Sequence, residues 1–373
     1  MIIKNGYVFH EDKTFQNTDI YIKNGRIAAM LPSNSEAPSG FEGDEIIDAT
    51  GLNVLPGLID IHSHGAVGHD FSDGNIEGLR EILAYEYAHG ITTYCPTSMT
   101  LEKEKLFEIF HSVSTLTEEP AHSHFAGINM EGPFLDTAKK GAHRAECIIP
   151  PDVAFFRDCN HASGDNIRLV TLAPNTAGAT EFIEALKEEV IISLGHTDAD
   201  YDTSKAALQA GAHHITHLFN AMPSLLHRTP GLIGAAAEDN LCYAELICDG
   251  IHIHESMVKA AFKLFPDRVV LISDSMRATG MENGTYDLGG QTVTVNGSLA
   301  TLSDGTIAGS ATNLFDCMRK AISMGIPAED AIAAATQNPA KSIGIYENAG
   351  SLSVGKQADI LLTDKDFHLI RVI

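Results

Sequence analysis

The sequence predicts an α/β fold, a (β/α)8 TIM-like barrel with a small β-sandwich domain formed by both chain termini. Three observations predict it. Between residues 54 and 275, eight short apolar or β-branched runs alternate with amphipathic segments whose apolar residues recur at helical spacing. The runs are apolar on both faces, as parallel strands covered by helices must be, and eight such units over roughly 220 residues match a closed barrel by length. The first run leads into "HSHGAVGHD", not into the Gly-rich phosphate loop that an open nucleotide-binding sheet would place there.

The strands follow in order. The first is "VLPGLIDIH" (54–62), then "TTYCPTS" (92–98), "FAGINMEG" (125–132) and "IRLVTLAP" (167–174). Next come "VIISLGH" (190–196), "HITHLF" (214–219), "AELICDG" (244–250) and "VVLISDS" (269–275). Segments such as "IEGLREILAYEYAHG", "ATEFIEALKEE" and "HESMVKAAFKLF" supply helices between them. Residues 1–53 carry hairpin signals ("DIYIKNGRIAAML"), and residues 351–373 are again strand-like with turn residues between. These two segments are expected to form the β-sandwich together. That leaves 54–350 as the barrel, with a β-hairpin insert at about 284–306 after the eighth strand.

Composition narrows the function. The chain has 373 residues, 44% of them hydrophobic, enough for a sizeable core. Asp and Glu number 49 against 25 Lys and Arg, a formal charge of −24 that repels nucleic acid and anionic membranes. Six cysteines without a C-x-x-C pair fit reduced thiols. No signal-peptide h-region opens the chain, and no apolar run approaches the length of about 18 residues that a membrane span needs. The expectation is a cytoplasmic protein.

In such a barrel the chemistry sits at the C-terminal strand ends. The first strand ends in His62 and His64, which share a face, and the third in Glu131. The fifth ends in His196, the sixth carries His217, the seventh leads into Asp249 and His252, and the eighth delivers Asp274. Imidazoles and carboxylates converging on one mouth suit one or two divalent metals, zinc or a neighbouring transition metal. The H-x-H spacing alone is weak, since it recurs at His122/His124 and His252/His254. His122 and His124 precede their strand, which puts them at the opposite face of the barrel, in an exposed loop.

The motifs "PGLIDIHSHG", "MEGPF", "SLGHT", "THLFNAM", "HRTPG", "CDGIHIH", "SDSMRATG" and "DGTIAGS" occur in series. Together they resemble the amidohydrolase superfamily and, within it, the N-acetylglucosamine-6-phosphate deacetylase family. The resemblance implies Glu131, His196 and His217 as ligands of a main metal, with His62 and His64 favouring a second. Zinc is the expected metal, with iron, manganese and cobalt as alternatives. It implies Asp274 as the residue that takes a proton from water and passes it to the departing amine. Ala142 and His143 would contact the substrate, a phosphorylated N-acetyl amino sugar, and Ile307, Ala308, Gly309 and Ser310 would line the sugar. The phosphate needs an anion site, for which Asn220, Ala221, Arg228 and His252 are candidates; the planar fork of Arg228 suits it. In the family that arginine comes from a neighbouring subunit, so a homodimer is implied. The implied reaction is hydrolysis of N-acetylglucosamine 6-phosphate to glucosamine 6-phosphate and acetate, in amino-sugar catabolism and cell-wall recycling. N-acetylgalactosamine 6-phosphate is the alternative substrate. A cyclic-amide hydrolase would need a bridging lysine at the end of the fourth strand, where this chain reads "LVTLAPNT".

Overall fold

The computed structural model describes residues 1–373. Eight parallel strands form the barrel: β1 (Leu58–Ser63), β2 (Ile91–Ser98), β3 (Ile128–Phe134), β4 (Ile167–Leu172), β5 (Ile191–Leu194), β6 (His214–Ile215), β7 (Tyr243–Ile247) and β8 (Val269–Ile272). Each pairs in parallel with the next, from β1–β2 round to β7–β8. The ring closes just beyond the ladders. Asp274 N–H donates to the His62 carbonyl at 2.9 Å, and His64 N–H to the Ser275 carbonyl at 2.8 Å. The closing seam therefore joins three of the expected site residues through their backbones.

Helices α1 (Ile76–Ala88), α2 (Lys103–Val113), α3 (Val153–Ala162), α4 (Ala179–Leu186), α5 (Tyr201–Ala210), α6 (Gly231–Glu238), α7 (Glu255–Leu264) and α8 (Leu314–Ser323) follow the strands in turn. In α1 the buried Leu79, Ile82, Leu83 and Glu86 fall on one face at helical spacing. The main apolar core unites such faces with the outer faces of the strands. A separate cluster brings Ile59 and Ile61 of β1 against Leu169 of β4, Ile247 of β7 and Ile272 of β8. Strands on opposite sides of a barrel meet only through its lumen, so this cluster is the interior plug. Ala340 of α10 (Gln337–Ser342), which follows α9 (Ala328–Ala335), packs on it.

Two expectations about elements change. The run 54–62 is two strands, because Asn53–Pro56 pairs antiparallel with Ile360–Thr363 in the terminal sheet and only Leu58–Ser63 enters the barrel. Gly57 makes the joint: a Cβ there would lie 2.0 Å from Thr92 Oγ1. The insert is a three-stranded antiparallel sheet (Gly284–Leu288, Gln291–Asn296, Leu299–Thr301), one strand more than a hairpin.

The terminal sheet has seven strands, drawn from both chain ends, with Ile2–Phe9 at its centre and Leu369–Val372 at one edge. It keeps its own core, including Ile3, Val8, Ile20, Val54 and Ile360. All six cysteines are buried and unpaired. No helix is long and apolar enough to cross a membrane.

Candidate active site

The strand ends converge as the barrel requires. The β1–β2 register is interrupted between Asp60 and Ser63, where the chain leaves the regular pleat and presents His62 and His64. His196, His217 and Asp274 lie just past the ends of β5, β6 and β8, with φ of +46°, +28° and +48°. Left-handed backbone at non-glycine residues costs of order 1–3 kcal/mol each and persists only where the surroundings over-determine it. Here it turns short strands sharply and aims their last side chains at one point. Gly195 permits the close approach of β5 to the chain after β6, since a Cβ there would meet Thr216 Cβ at 2.6 Å.

Glu131 is the hub. Its Oε1 lies 3.1 Å from both His196 Nε2 and His217 Nε2, and 3.5 Å from His62 Nε2. Its Oε2 lies 3.2 Å from His64 Nε2 and 3.4 Å from His143 Nε2. Asp274 Oδ1 stands 3.4 Å from His64 Nε2 and 3.7 Å from His62 Nε2. All of these residues are buried.

Hydrogen bonds behind the rings set their orientation. A carbonyl only accepts, so His64 Nδ1–H donates to Thr97 O at 3.1 Å and His196 Nδ1–H to Lys139 O at 2.9 Å. Each then turns Nε2 toward the carboxylates, the arrangement usual for metal-binding histidines. His143 is the opposite case. Thr100 N–H donates to its Nδ1 at 3.2 Å, which leaves Nε2 as a donor facing the site.

Charge follows the same geometry. Burial opposes ionisation of Glu131, yet His62 and His143 outweigh it and hold the carboxyl well below the usual range. Burial likewise opposes ionisation of Asp274, but the hydrogen bond to His64 and the charge of His62 keep it low. His64 is pushed down by burial but lifted further by Asp274 and Glu131, to about 10. His196 is lowered to about 4, by burial first and then by His143. The cluster calls for positive charge.

A divalent metal fits that need. His196 Nε2 and His217 Nε2 face each other at 3.0 Å beside Glu131 Oε1, two imidazole nitrogens and a carboxylate oxygen of the kind zinc and its neighbours take. Ligand atoms of His62, His64 and Glu131 form a second close group, as do those of Glu131, His143 and His196. His62 Nε2 is buried without a hydrogen-bond partner.

These groups open into a cleft of about 410 Å³. Of the expected substrate residues, Ala142, His143, Asn220, Ala221, His252, Ile307 and Gly309 line it. His252 is oriented by Asp249, whose Oδ2 accepts from its Nδ1–H at 2.8 Å. Ala308 and Ser310 are fully buried behind the wall. Ser310 N–H donates to the Asp274 carbonyl at 2.7 Å, so it braces the Asp274 backbone. Arg228 lies outside this cleft, in a surface groove with Asp198, Tyr201 and Leu226, and its Nη1 donates to His227 Nε2 at 2.8 Å.

His122 and His124 stay away from the site. His124 sits in a short strand beside β2, half-buried rather than loop-exposed, and pairs with Glu118 and Asp359. Sequence reasoning missed Met99, Lys139, Leu288 and Thr306 in the cleft wall, and Glu245 beneath it. Two of these left a signal: Thr306 stands inside the motif "DGTIAGS", and Glu245 is a lone carboxylate inside the apolar run "AELIC".

Comparison with known proteins places the chain in a family. The amidohydrolase family profile matches residues 53–373. The N-acetylglucosamine-6-phosphate deacetylase of Bacillus subtilis (strain 168) is 37% identical over 100% of this chain and 95% of its own. The Homo sapiens protein of that name is 31% identical, over 99% and 91%. A mutant N-acetyl-D-glucosamine-6-phosphate deacetylase from Mycobacterium smegmatis, solved in complex with N-acetyl-D-glucosamine-6-phosphate, superposes with a TM-score of 0.92 at 31% identity, covering 100% of this chain and 97% of that one. The Pasteurella multocida enzyme gives 0.91 at 29%, with the same coverage. The chain belongs to the amidohydrolase family and, within it, to the N-acetylglucosamine-6-phosphate deacetylases.

Proposed function

We propose that the protein hydrolyses the acetamide of N-acetylglucosamine 6-phosphate, giving glucosamine 6-phosphate and acetate. The observation that carries this reading is the convergence of five histidine Nε2 atoms, those of His62, His64, His143, His196 and His217, within 3.1–3.5 Å of the one carboxylate Glu131, with Asp274 beside them at the mouth of the cleft. Glu131, His196 and His217 would hold a main metal, and His62 and His64 would favour a second. Zinc is the expected ion, with iron, manganese or cobalt as alternatives. A divalent metal bound here supplies a polarised acetamide carbonyl and a water acidified to a pKa near 7.

The chain's own groups do the rest. Asp274, held ionised by His64 and His62, takes a proton from the attacking water and returns it to the departing amine, which leaves only once protonated. Its backbone is pinned on both sides, by the bond to His62 and by that from Ser310. His143 offers its Nε2–H to the substrate. Asn220, Ala221 and His252 receive the sugar phosphate, joined by Arg228 of a second copy in a homodimer. The exposure of Arg228 and of the neighbouring Leu226, 56% exposed, supports that placement. Six buried free thiols and the acidic surface favour a cytoplasmic setting, in amino-sugar use and cell-wall recycling.

The test is a side-by-side kinetic assay on N-acetylglucosamine 6-phosphate and N-acetylgalactosamine 6-phosphate, with metal analysis of the same sample. The expected result is acetate release with a higher kcat/KM on the gluco substrate. Absence of acetate release with zinc, iron, manganese and cobalt each supplied would overturn the reading.

A further inference from the structure

Glu245 lies in the middle of β7 between Ala244 and Leu246, and is fully buried. A carboxylate in such a place is costly unless its oxygens are used. One of them is used twice. Oε2 accepts from His62 Nδ1–H at 2.8 Å and from the His217 backbone N–H at 3.0 Å. The other, Oε1, has no hydrogen bond and stands 3.8 Å from His214 Nδ1, which faces Ser193 Oγ at 3.0 Å. From β7 the side chain reaches across the lumen to β1 and sideways to the chain after β6. Both of its bonds end on residues of the metal cluster.

We propose that Glu245 is a positioning residue of the metal centre, with two tasks. It fixes His62 with the proton on Nδ1, which turns Nε2 into the site as a lone-pair donor, and it locks the backbone of His217, whose φ is +28°. An apolar strand residue would fill the lumen equally well, so the choice of a carboxylate follows from the two donors it meets. Hydrogen-bond partners of metal-binding histidines fix ring orientation and raise basicity, and their loss typically weakens metal binding about 10- to 100-fold. The inference rests on the reading of His62 as a metal ligand.

The test uses full-length protein stripped with a chelator and titrated with zinc against a competing chromophoric chelator. Glu245→Gln keeps the shape and loses the charge. Its zinc affinity is expected to fall by about 10- to 100-fold, with the far-UV circular dichroism and Tm of the metal-free protein unchanged. In loaded enzyme kcat falls while KM for the sugar phosphate stays at the parental value, because Glu245 touches no substrate. His62→Ala separates the two ideas. If His62→Ala weakens zinc binding and Glu245→Gln does not, the inference is overturned while the ligand reading stands. If His62→Ala leaves zinc affinity at the parental value, the ligand reading falls and the inference with it. Should Glu245→Gln fail to fold, the parent protein decides: long-range ¹H–¹⁵N correlation on zinc-loaded, ¹⁵N-histidine-labelled enzyme is expected to find His62 protonated at Nδ1. A proton on Nε2 instead would overturn the proposal.

Discussion

In the proposed mechanism Asp274 combines two duties in one carboxylate, accepting a proton and then delivering it, and its surroundings keep it ionised for the first. Asp274→Asn preserves size and loses the proton carrier. Turnover is expected to fall about 10²- to 10⁴-fold with metal content unchanged, measured by steady-state kinetics beside metal analysis. The histidines give a second prediction. His64 holds its proton up to about pH 10 in the metal-free protein because Asp274 and Glu131 outweigh the effect of burial. Those ion pairs stabilise the metal-free fold fully below about pH 6.5, and the contribution is lost as pH rises through about 10. Between these limits a metal that binds His64 must displace its proton, so zinc uptake that engages His64 at pH 8 is expected to release at least one proton, and that affinity to rise with pH. Calorimetry in two buffers of different ionisation enthalpy reads the release; an identical heat in both would contradict it. Residue chemistry was legible only where position added to type. The spacing His62-x-His64 has two copies elsewhere, and its place at the end of the first barrel strand is what distinguished it. The lone Glu245 in "AELIC" was visible, but its role was not, because its partners lie in β1 and just past β6, remote in sequence.

Among the elements, the eight strands were legible because each is an apolar run set between helical patterns, and even β6, only two residues long, occupies its expected place. Boundaries were less so. The Pro56–Gly57 pair in "VLPGLIDIH" is a local break signal, but the run alone does not say where its first half goes; the distant strand Ile360–Thr363 captures Asn53–Pro56. The placement of the proposed ligands depends on such tight joints. Gly195 lies where a Cβ would collide with Thr216 Cβ, and these residues directly precede His196 and His217. Gly195→Ala is expected to spread the two strand ends, cost about 1–3 kcal/mol as overpacking does, and weaken metal binding together with stability. Thermal melts with and without zinc check this, since the stabilisation by zinc should shrink along with the Tm.

At the scale of the whole molecule, the terminal sheet unites strands more than 300 residues apart, and the sequence announces its strands but not their order. The proposed dimer was legible only through resemblance, because Arg228 serves no purpose within its own chain's cleft. It makes a prediction by complementation. Arg228→Ala and Asp274→Asn, each weak alone at low substrate, are expected to regain activity when co-expressed, since a mixed dimer holds one site with both groups intact. Sedimentation as a monomer, or no gain on co-expression, would contradict a shared site. One requirement underlies the proposed cleavage of a sugar-phosphate acetamide: a metal held by Glu131 and the histidines. Its most direct test is acetate release from N-acetylglucosamine 6-phosphate by chelator-stripped protein, before and after zinc is returned. No release above background is expected from the stripped protein, with recovery on adding zinc; release that continues undiminished after the metal is removed would rule out a metal requirement.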